Sequence, residues 1–545
     1  MNCAGQRIDG IVVRSFAPTA AALRKVGVVS RVVDAIHTTT NVEVIQRFLL
    51  LRAGDRCDEL RRAESERILR AQPFIAEASV LVFADSTGGV ELDVRTTDEV
   101  ALVVGAAYGH GGSIPLRLIR LGDANIAGEG IYLSADWRQG TPFRDGVGAR
   151  FMDSQLLGRP YTLTASASQN PIGADWLGEV AHPFYTDIQR IAWRVRAGGG
   201  DDYVQFLNDI NSSHALRAAR NYFDIGGITR VGPPGRLSLF GASISGDYEH
   251  PTDIPVLVTN KGFAPDTSSE LRFRYTTHRI ARVNALWGVR DIGFARVRGF
   301  DALTATQDMP IGFQLGTMFG RSMSVLGSRD DDLFMAGDLY IGAVGRNNAL
   351  RIQIEGEGRH DNDAGAWDGL LTTARAVEYL KLSPSNTTTL ALEFSGGWRQ
   401  RLPFSLTFSD AVGGLRGYAA SNTPGGQRMV ARLEHRTFVG RPFNIADMGV
   451  GFFADAGRLW AGDVPYGVNT PVRSSVGVSL LGTAPPASAR LWRLDLAIAT
   501  KPEPGRHRLE LRMSGIDKTS FFFADPGDIQ ATRERTVPSS VFRWP

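Results

Sequence analysis

The sequence predicts a mainly β protein in which a small α+β module precedes a large antiparallel sheet. Three observations carry this. Helical periodicity is confined to residues 1–98, and period-two alternation of apolar and polar residues dominates residues 99–545. No stretch approaches the roughly 18 consecutive apolar residues of a transmembrane helix. The composition is that of an ordered chain: 545 residues, 43% apolar, 21% charged and a net charge of +3. So small a charge, with no strong Lys/Arg run, gives no reason to expect nucleic acid. Two cysteines, Cys3 and Cys57, exclude a disulfide scaffold and a four-cysteine zinc site.

In the module, IDGIVVRSF (Ile8–Phe16) reads as a strand. NVEVIQRFLLL (Asn41–Leu51) and DELRRAESERILRA (Asp58–Ala71) read as helices, the second capped by Asp58 and ended by Gln72 and Pro73. ASVLVF (Ala78–Phe83) and VELDV (Val90–Val94) complete an order of strand, helix, helix, strand, strand.

Beyond residue 98 the runs alternate. ELRFRY (Glu270–Tyr275) sets Leu271, Phe273 and Tyr275 against Glu270, Arg272 and Arg274. LRIQIE (Leu350–Glu355) places Arg351, Gln353 and Glu355 on one face. Trp492, Leu494, Leu496 and Ile498 oppose Arg493 and Asp495, and Leu509, Leu511 and Met513 oppose Arg508, Glu510 and Arg512. Turn chemistry separates such runs, as in GHGGS, GRNNA and SPSNT. Two architectures share this pattern: a soluble sheet protein with one wet face, and a membrane barrel with a wet lumen. The barrel is favoured because no domain-length repeat divides the segment, the polar faces are often wholly charged, and connections range from very short to about twenty residues. Near-neutral mean hydropathy, −0.11, suits a wall apolar only at every second residue. The alternating runs number nearer twenty than sixteen.

Two motifs add a family resemblance. GGLRGY (Gly413–Tyr418) is followed about forty residues later by FFADAG (Phe452–Gly457). This pair resembles the (V/I/L)-R-G-(F/Y) motif of loop six and the F-x-D-x-G motif of strand thirteen in the BamA/TamA superfamily, which includes the bacterial surface antigen family. The intervening run Met429–Thr437 carries Glu434 between Arg432 and Arg436, and five runs follow Tyr418, at Met429, Met448, Val472, Arg490 and Arg506. The module order resembles a POTRA domain, and GDRCDELRRAESERILR matches that domain's helical segment. NIAGEG (Asn125–Gly130) and HPFY (His182–Tyr185) resemble pieces of the early barrel strands. The resemblance spans essentially the whole chain and implies one POTRA domain, residues 1–98, followed by a sixteen-stranded outer-membrane barrel, residues 99–545.

It further implies a latch with a conformational role. Gly414, Leu415, Arg416, Gly417 and Tyr418 would fold into the lumen, where Asp455, Glu434, Phe453 and Gly457 would receive them. A guanidinium can bridge two carboxylates with forked hydrogen bonds as a lysine cannot. The implied setting is outer-membrane lipid, with the POTRA domain in the periplasm and a signal peptide absent from MNCAGQRIDG. The implied partners are unfolded or nascent polypeptides, captured by strand addition and inserted or translocated. A passive porin-like channel, or an anchor for a fused or separate N-terminal domain such as a patatin-like lipase, are the alternatives. Two-partner secretion fits less well, since those transporters carry two POTRA domains and a plug helix. The roughly thirty residues after Met513 also depart from the family, whose members commonly end in an aromatic residue on the last strand.

Other motifs read as ordinary structure. Cys3 and Cys57 allow either a bridge or two thiols. HDNDAG (His360–Gly365) lacks the terminal Glu of a calcium loop, and Arg329–Asp332 reads as a loop charge run. A second VRGF, Val297–Phe300, reads as strand, so that replacing Arg298 should matter little. With no nucleophile elbow, P-loop or HExxH and nine scattered histidines, no enzyme, cofactor, metal or nucleotide is expected.

Overall fold

The N-terminal module forms because its apolar residues recur on one face of each element. In the computed structural model, β1 (Ile8–Phe16), α1 (Val42–Arg47), α2 (Glu59–Ala71), β2 (Ile75–Ala84) and β3 (Val90–Asp98) follow in the POTRA order. The structure describes residues 2–536 apart from 19–37, 87, 109–115, 139–143, 171–172, 207–211, 268–269, 411–412, 420, 504–506 and 517–525. The sheet order is β1-β3-β2, with β1 parallel and β2 antiparallel to β3. Val44, Ile45, Phe48, Ile68, Leu69, Phe74 and Ile75 make its main core. The Asp58 carboxylate accepts from the Arg61 N–H at 2.9 Å, capping α2. α1 stops at Arg47, short of the expected Leu51, because Phe48 and Leu51 are drawn into different clusters. Leu51 packs beside Cys3 and Cys57, which form a disulfide across 54 residues.

The rest of the described chain is a closed antiparallel barrel, β4 (Leu102–Tyr108) to β25 (Leu509–Ile516). β13 (Val256–Thr259) and β14 (Gly262–Pro265) form only a short hairpin, and β12 (Arg236–Pro251) pairs directly with β15 (His278–Arg298). Among the described residues twenty strands therefore make the wall, not the sixteen of the resemblance; five follow loop six, and the surplus precedes it. GHGGS lies outside the described residues. Strand length is uneven. At the closure, β24 (Leu491–Ala499), β25 and β4 have 9, 8 and 7 residues, whereas β15 has 21 and β11 (Ser212–Val231) has 20.

Alternation builds a two-faced wall. Along β21 (Gln427–Gly440), Arg428, Val430, Arg432, Glu434 and Arg436 are buried in the interior, while Met429 and Leu433 face outward. Phe223, Phe240, Trp287, Phe319, Leu392, Phe452 and Leu496 continue the apolar exterior around the barrel. No helix among the described residues is long and apolar enough to cross a membrane; an apolar band on a closed sheet can do so with strands.

Several expectations change. Residues 270–275 are not a strand: they turn in the loop before β15, Leu271 packing on Phe206 and Leu216 while Phe273 sits exposed at φ 58°. Asp332 is no loop charge; it begins β17 (Asp332–Val344), buried against Arg282 and Arg401. VRGF is strand only to Arg298. Gly299, at φ +68°, opens an in-folded turn in which Phe300 packs edge-on to Tyr379. Residues 362–365 form an exposed turn.

One end of the barrel has mostly short turns, and the module docks there. Asn125 of NIAGEG donates to the Thr40 hydroxyl at 2.8 Å, and a Cβ on Gly130 would meet the Phe74 ring at 2.9 Å. Tyr185 of HPFY lies edge-on to Phe48, and its carbonyl accepts from Arg67 at 2.5 Å. Arg70 forks onto Asp308 of β16 (Thr306–Ser322) at 2.8 and 2.7 Å. Buried Glu66 accepts from Arg62, Arg70 and, across the junction, Arg296.

Candidate functional site

The other end carries the long loops, and the one between β20 (Asn386–Trp398) and β21 folds into the lumen with GGLRGY at its tip. Its entry depends on missing side chains. Gly413 and Gly417 stand at φ +106° and +85°, where other residues are strained. A Cβ on Gly414 would lie 2.0 Å from the Phe408 carbonyl oxygen. On the facing wall, a Cβ on Gly457 would meet the Met429 carbonyl at 2.8 Å and Leu415 at 3.2 Å. The sequence thus leaves space on both sides of the contact.

β21 and β22 (Asp447–Trp460) are paired antiparallel, with Arg432 opposite Asp455 and Glu434 opposite Phe453. Their inward faces present carboxylates and an aromatic ring at mid-wall. Arg416 enters this cradle. Its Nε and Nη2 donate to the two Asp455 oxygens at 2.8 and 2.6 Å, and Nη1 donates to Glu434 at 2.5 Å. Its backbone N–H also reaches Asp455, at 3.3 Å, and its guanidinium lies over the Phe453 ring at 3.6 Å. Arg416, Asp455 and Glu434 are buried together. Such a site is sustained only if each charge is paired and hydrogen-bonded.

All nine residues singled out in the sequence meet here. Leu415 and Tyr418 pack with Phe408, Val430 and Leu459, and the Tyr418 hydroxyl donates to the Ser474 and Lys501 carbonyls, each at 3.1 Å. Sequence reasoning missed five further contributors. Arg493 of β24 forks onto Glu434 at 3.0 and 2.6 Å, so this carboxylate joins two arginines. Arg432 donates to the Gly413 and Gly414 carbonyls at 2.7 and 2.8 Å. Asp410 pairs with Arg512 of β25, and Glu510 of the same strand accepts from the Ala419 N–H at 3.0 Å. Alternation marks the four strand residues among them as inward-facing, which was the only available signal; Asp410, in the loop, carries none. Loop six therefore braces β21, β22, β24 and β25 from inside. The arrangement fixes one loop conformation.

A second insertion approaches from below. In the turn 299–305, the Phe300 and Asp301 carbonyls accept from Arg436, whose Nε also lies 3.6 Å from Glu434. One carboxylate thus links the latch to the short-turn end.

No family model and no curated protein sequence matches the chain. Among solved structures it is similar to BamA from Haemophilus ducreyi lacking POTRA domains 1–3, at 11% identity over 93% of this chain and 85% of that one, TM-score 0.36. It is similar also to CdiB from Escherichia coli, at 10% identity over 94% and 77%, TM-score 0.43. Pseudomonas aeruginosa OccK1 (OpdK) aligns at 11% identity over 76% and 95%, TM-score 0.32. The chain thus joins one α+β module to a closed antiparallel β-barrel with a long loop folded into its lumen.

Proposed function

We propose that the protein resides in a bacterial outer membrane, with its module in the periplasm, and assists insertion or translocation of polypeptides there. The observation that carries this reading is the Arg416–Asp455–Glu434 cradle, which commits buried charge to holding a loop against the strands beside the closure. A passive pore needs no such brace. The closure joins β4, the shortest strand of the wall at 7 residues, to β25 of 8 residues, so few ladder hydrogen bonds resist its opening. An opened edge offers a client strand backbone partners it would otherwise lack in lipid.

The module supplies the capture surface. Its sheet has two outer strands. Along β2, the Ala78 and Val80 carbonyls already accept from Arg70 and Arg62. Along β1, the cover made by Asp55 and Gly54 ends at Ile8 among the described residues. An extended client would add beside β1, from Ile11 to Phe16. The test is to replace the chromosomal copy with R416A and quantify outer-membrane proteins. Loss of assembled or exported clients with the R416A barrel itself folded is expected. Unchanged levels of every outer-membrane protein would refute the reading.

A further inference from the structure

The last element occupies the lumen. α3 (Gly527–Thr536) follows β25, yet Ile529 is fully buried in the cluster formed by Leu415, Tyr418, Phe408 and Val430. Its first turn is tied to the wall: Asp528 accepts from both Nη atoms of Arg428 at 2.6 and 3.0 Å. One and a half turns later, Arg533 pairs with Glu355 of β18 (Asn348–Asp361), lies 3.6 Å from Glu357, and donates to the Thr373 hydroxyl at 3.2 Å. Pro526 rests against loop six, where a Cβ on Gly413 would lie 2.6 Å from its ring. Among the described side chains the helix has one apolar core residue, Ile529, and two charged anchors, Asp528 and Arg533, which match inward-facing charges of two strands, β21 and β18.

From this geometry we propose that the C-terminal segment 526–536 is a built-in lumen plug, which clasps loop six and keeps the barrel shut at rest. A helix with its side chains is about 10 Å across. Beside it lies a cavity of about 350 Å³, with Gln530 and Arg533 of α3 on one side and Glu179, Arg194 and Arg196 on the other. The open route through the protein is therefore set by whether α3 is seated. The anchors are ion pairs, so the plug is released by charge and not by unfolding of the wall. The proposal requires a bilayer-embedded barrel and is independent of whether that barrel handles polypeptides.

Full-length protein in planar bilayers tests it, compared with R533E, with R533E/E355R, and with a chain ending at residue 525. The heat-dependent gel shift of a folded barrel serves as the folding control. R533E sets like charges against each other at the second anchor, so single-channel conductance should rise several-fold over wild type. R533E/E355R restores an opposite pair and should return conductance towards the wild-type level. The truncated chain, if it folds, should conduct as R533E does or better. Should truncation abolish folding, the two point variants decide alone. Wild-type conductance in folded R533E, or an R533E/E355R channel as open as R533E, overturns the proposal. Loss of client assembly plays no part in this readout, so its outcome is separate from that of R416A.

Discussion

Removing the Arg416 guanidinium should free loop six while leaving the barrel wall intact. In Arg416→Ala, Asp455 loses both guanidinium hydrogen bonds and keeps only the 3.3 Å bond from the backbone N–H among the described residues, while Glu434 keeps Arg493. Breaking a buried pair from one side costs about 3–5 kcal/mol, because the remaining charge stays desolvated. At about 1.4 kcal/mol per decade, that shifts the loop's equilibrium towards release by roughly two to four orders of magnitude. The wall's ladder hydrogen bonds are untouched, so the cost falls on the loop. Both native cysteines are in the disulfide, so a single engineered thiol reports the change. Leu415→Cys places it at a fully buried position. Maleimide labelling of L415C in membranes should be slow, and that of L415C/R416A faster by at least about a hundredfold. L415C/R416K, which keeps the charge without the fork, should fall between them. Equal labelling rates in folded L415C and L415C/R416A would refute the account of the latch.

Four other outcomes follow from contacts described above. C57S opens a 54-residue loop and should destabilise the module by up to about 4 kcal/mol in urea melts, with the barrel unaffected. The Arg62 hydrogen bond holds the Glu59 carboxyl below its ordinary value of 4.5; burial pushes Glu64 up, but the Arg67 hydrogen bond and charge prevail and hold it below as well. Both contributions are complete above about pH 4.5 and are lost as pH falls through the lower folded values, so hydrogen exchange in α2 should accelerate only in acid, and less steeply in E64Q. D308A removes the forked partner of Arg70 and should loosen the module by about 1.5–3 kcal/mol, read as faster protease cleavage between β3 and β4. At the second VRGF, F300A should destabilise the barrel by about 3–5 kcal/mol while R298A, which gives up an exposed hydrogen bond to the Thr304 carbonyl, changes thermal stability little.

What was legible in the sequence is what local pattern encodes. Alternation gave the inward face of every latch partner, because parity along a strand is a local property, and Asp58 marked the start of α2 by its own chemistry. Counting alternating runs came nearer to the wall's twenty strands than the resemblance did, since a motif match says nothing about strands inserted ahead of it. The same pattern failed at 270–275, where Leu271 and Tyr275 face a loop cluster and Phe273 breaks the extended backbone. Long-range partnerships were invisible. NIAGEG and HPFY resemble strand pieces, but only Asn125, Ile126 and His182 end strands; the rest of each motif forms a connection, and the contacts with Thr40, Phe74 and Phe48 are made across the chain. GDIQATRERT shows one apolar side chain of note, Ile529, and so no amphipathic stripe announced α3.

In the outer membrane proposed for this protein, the uneven wall has a consequence for the surrounding lipid. Eight residues of β25 rise about 26 Å and, tilted by about 40°, reach about 20 Å along the membrane normal. A hydrocarbon core is about 30 Å thick, so lipids beside β25 and β4 face a negative hydrophobic mismatch that the long flank at β11 and β15 does not impose. The bilayer must pinch on that side and relax on the other. The protein thereby deforms its own solvent, and any segment crossing next to the closure meets a thinner apolar barrier than it would elsewhere in the membrane.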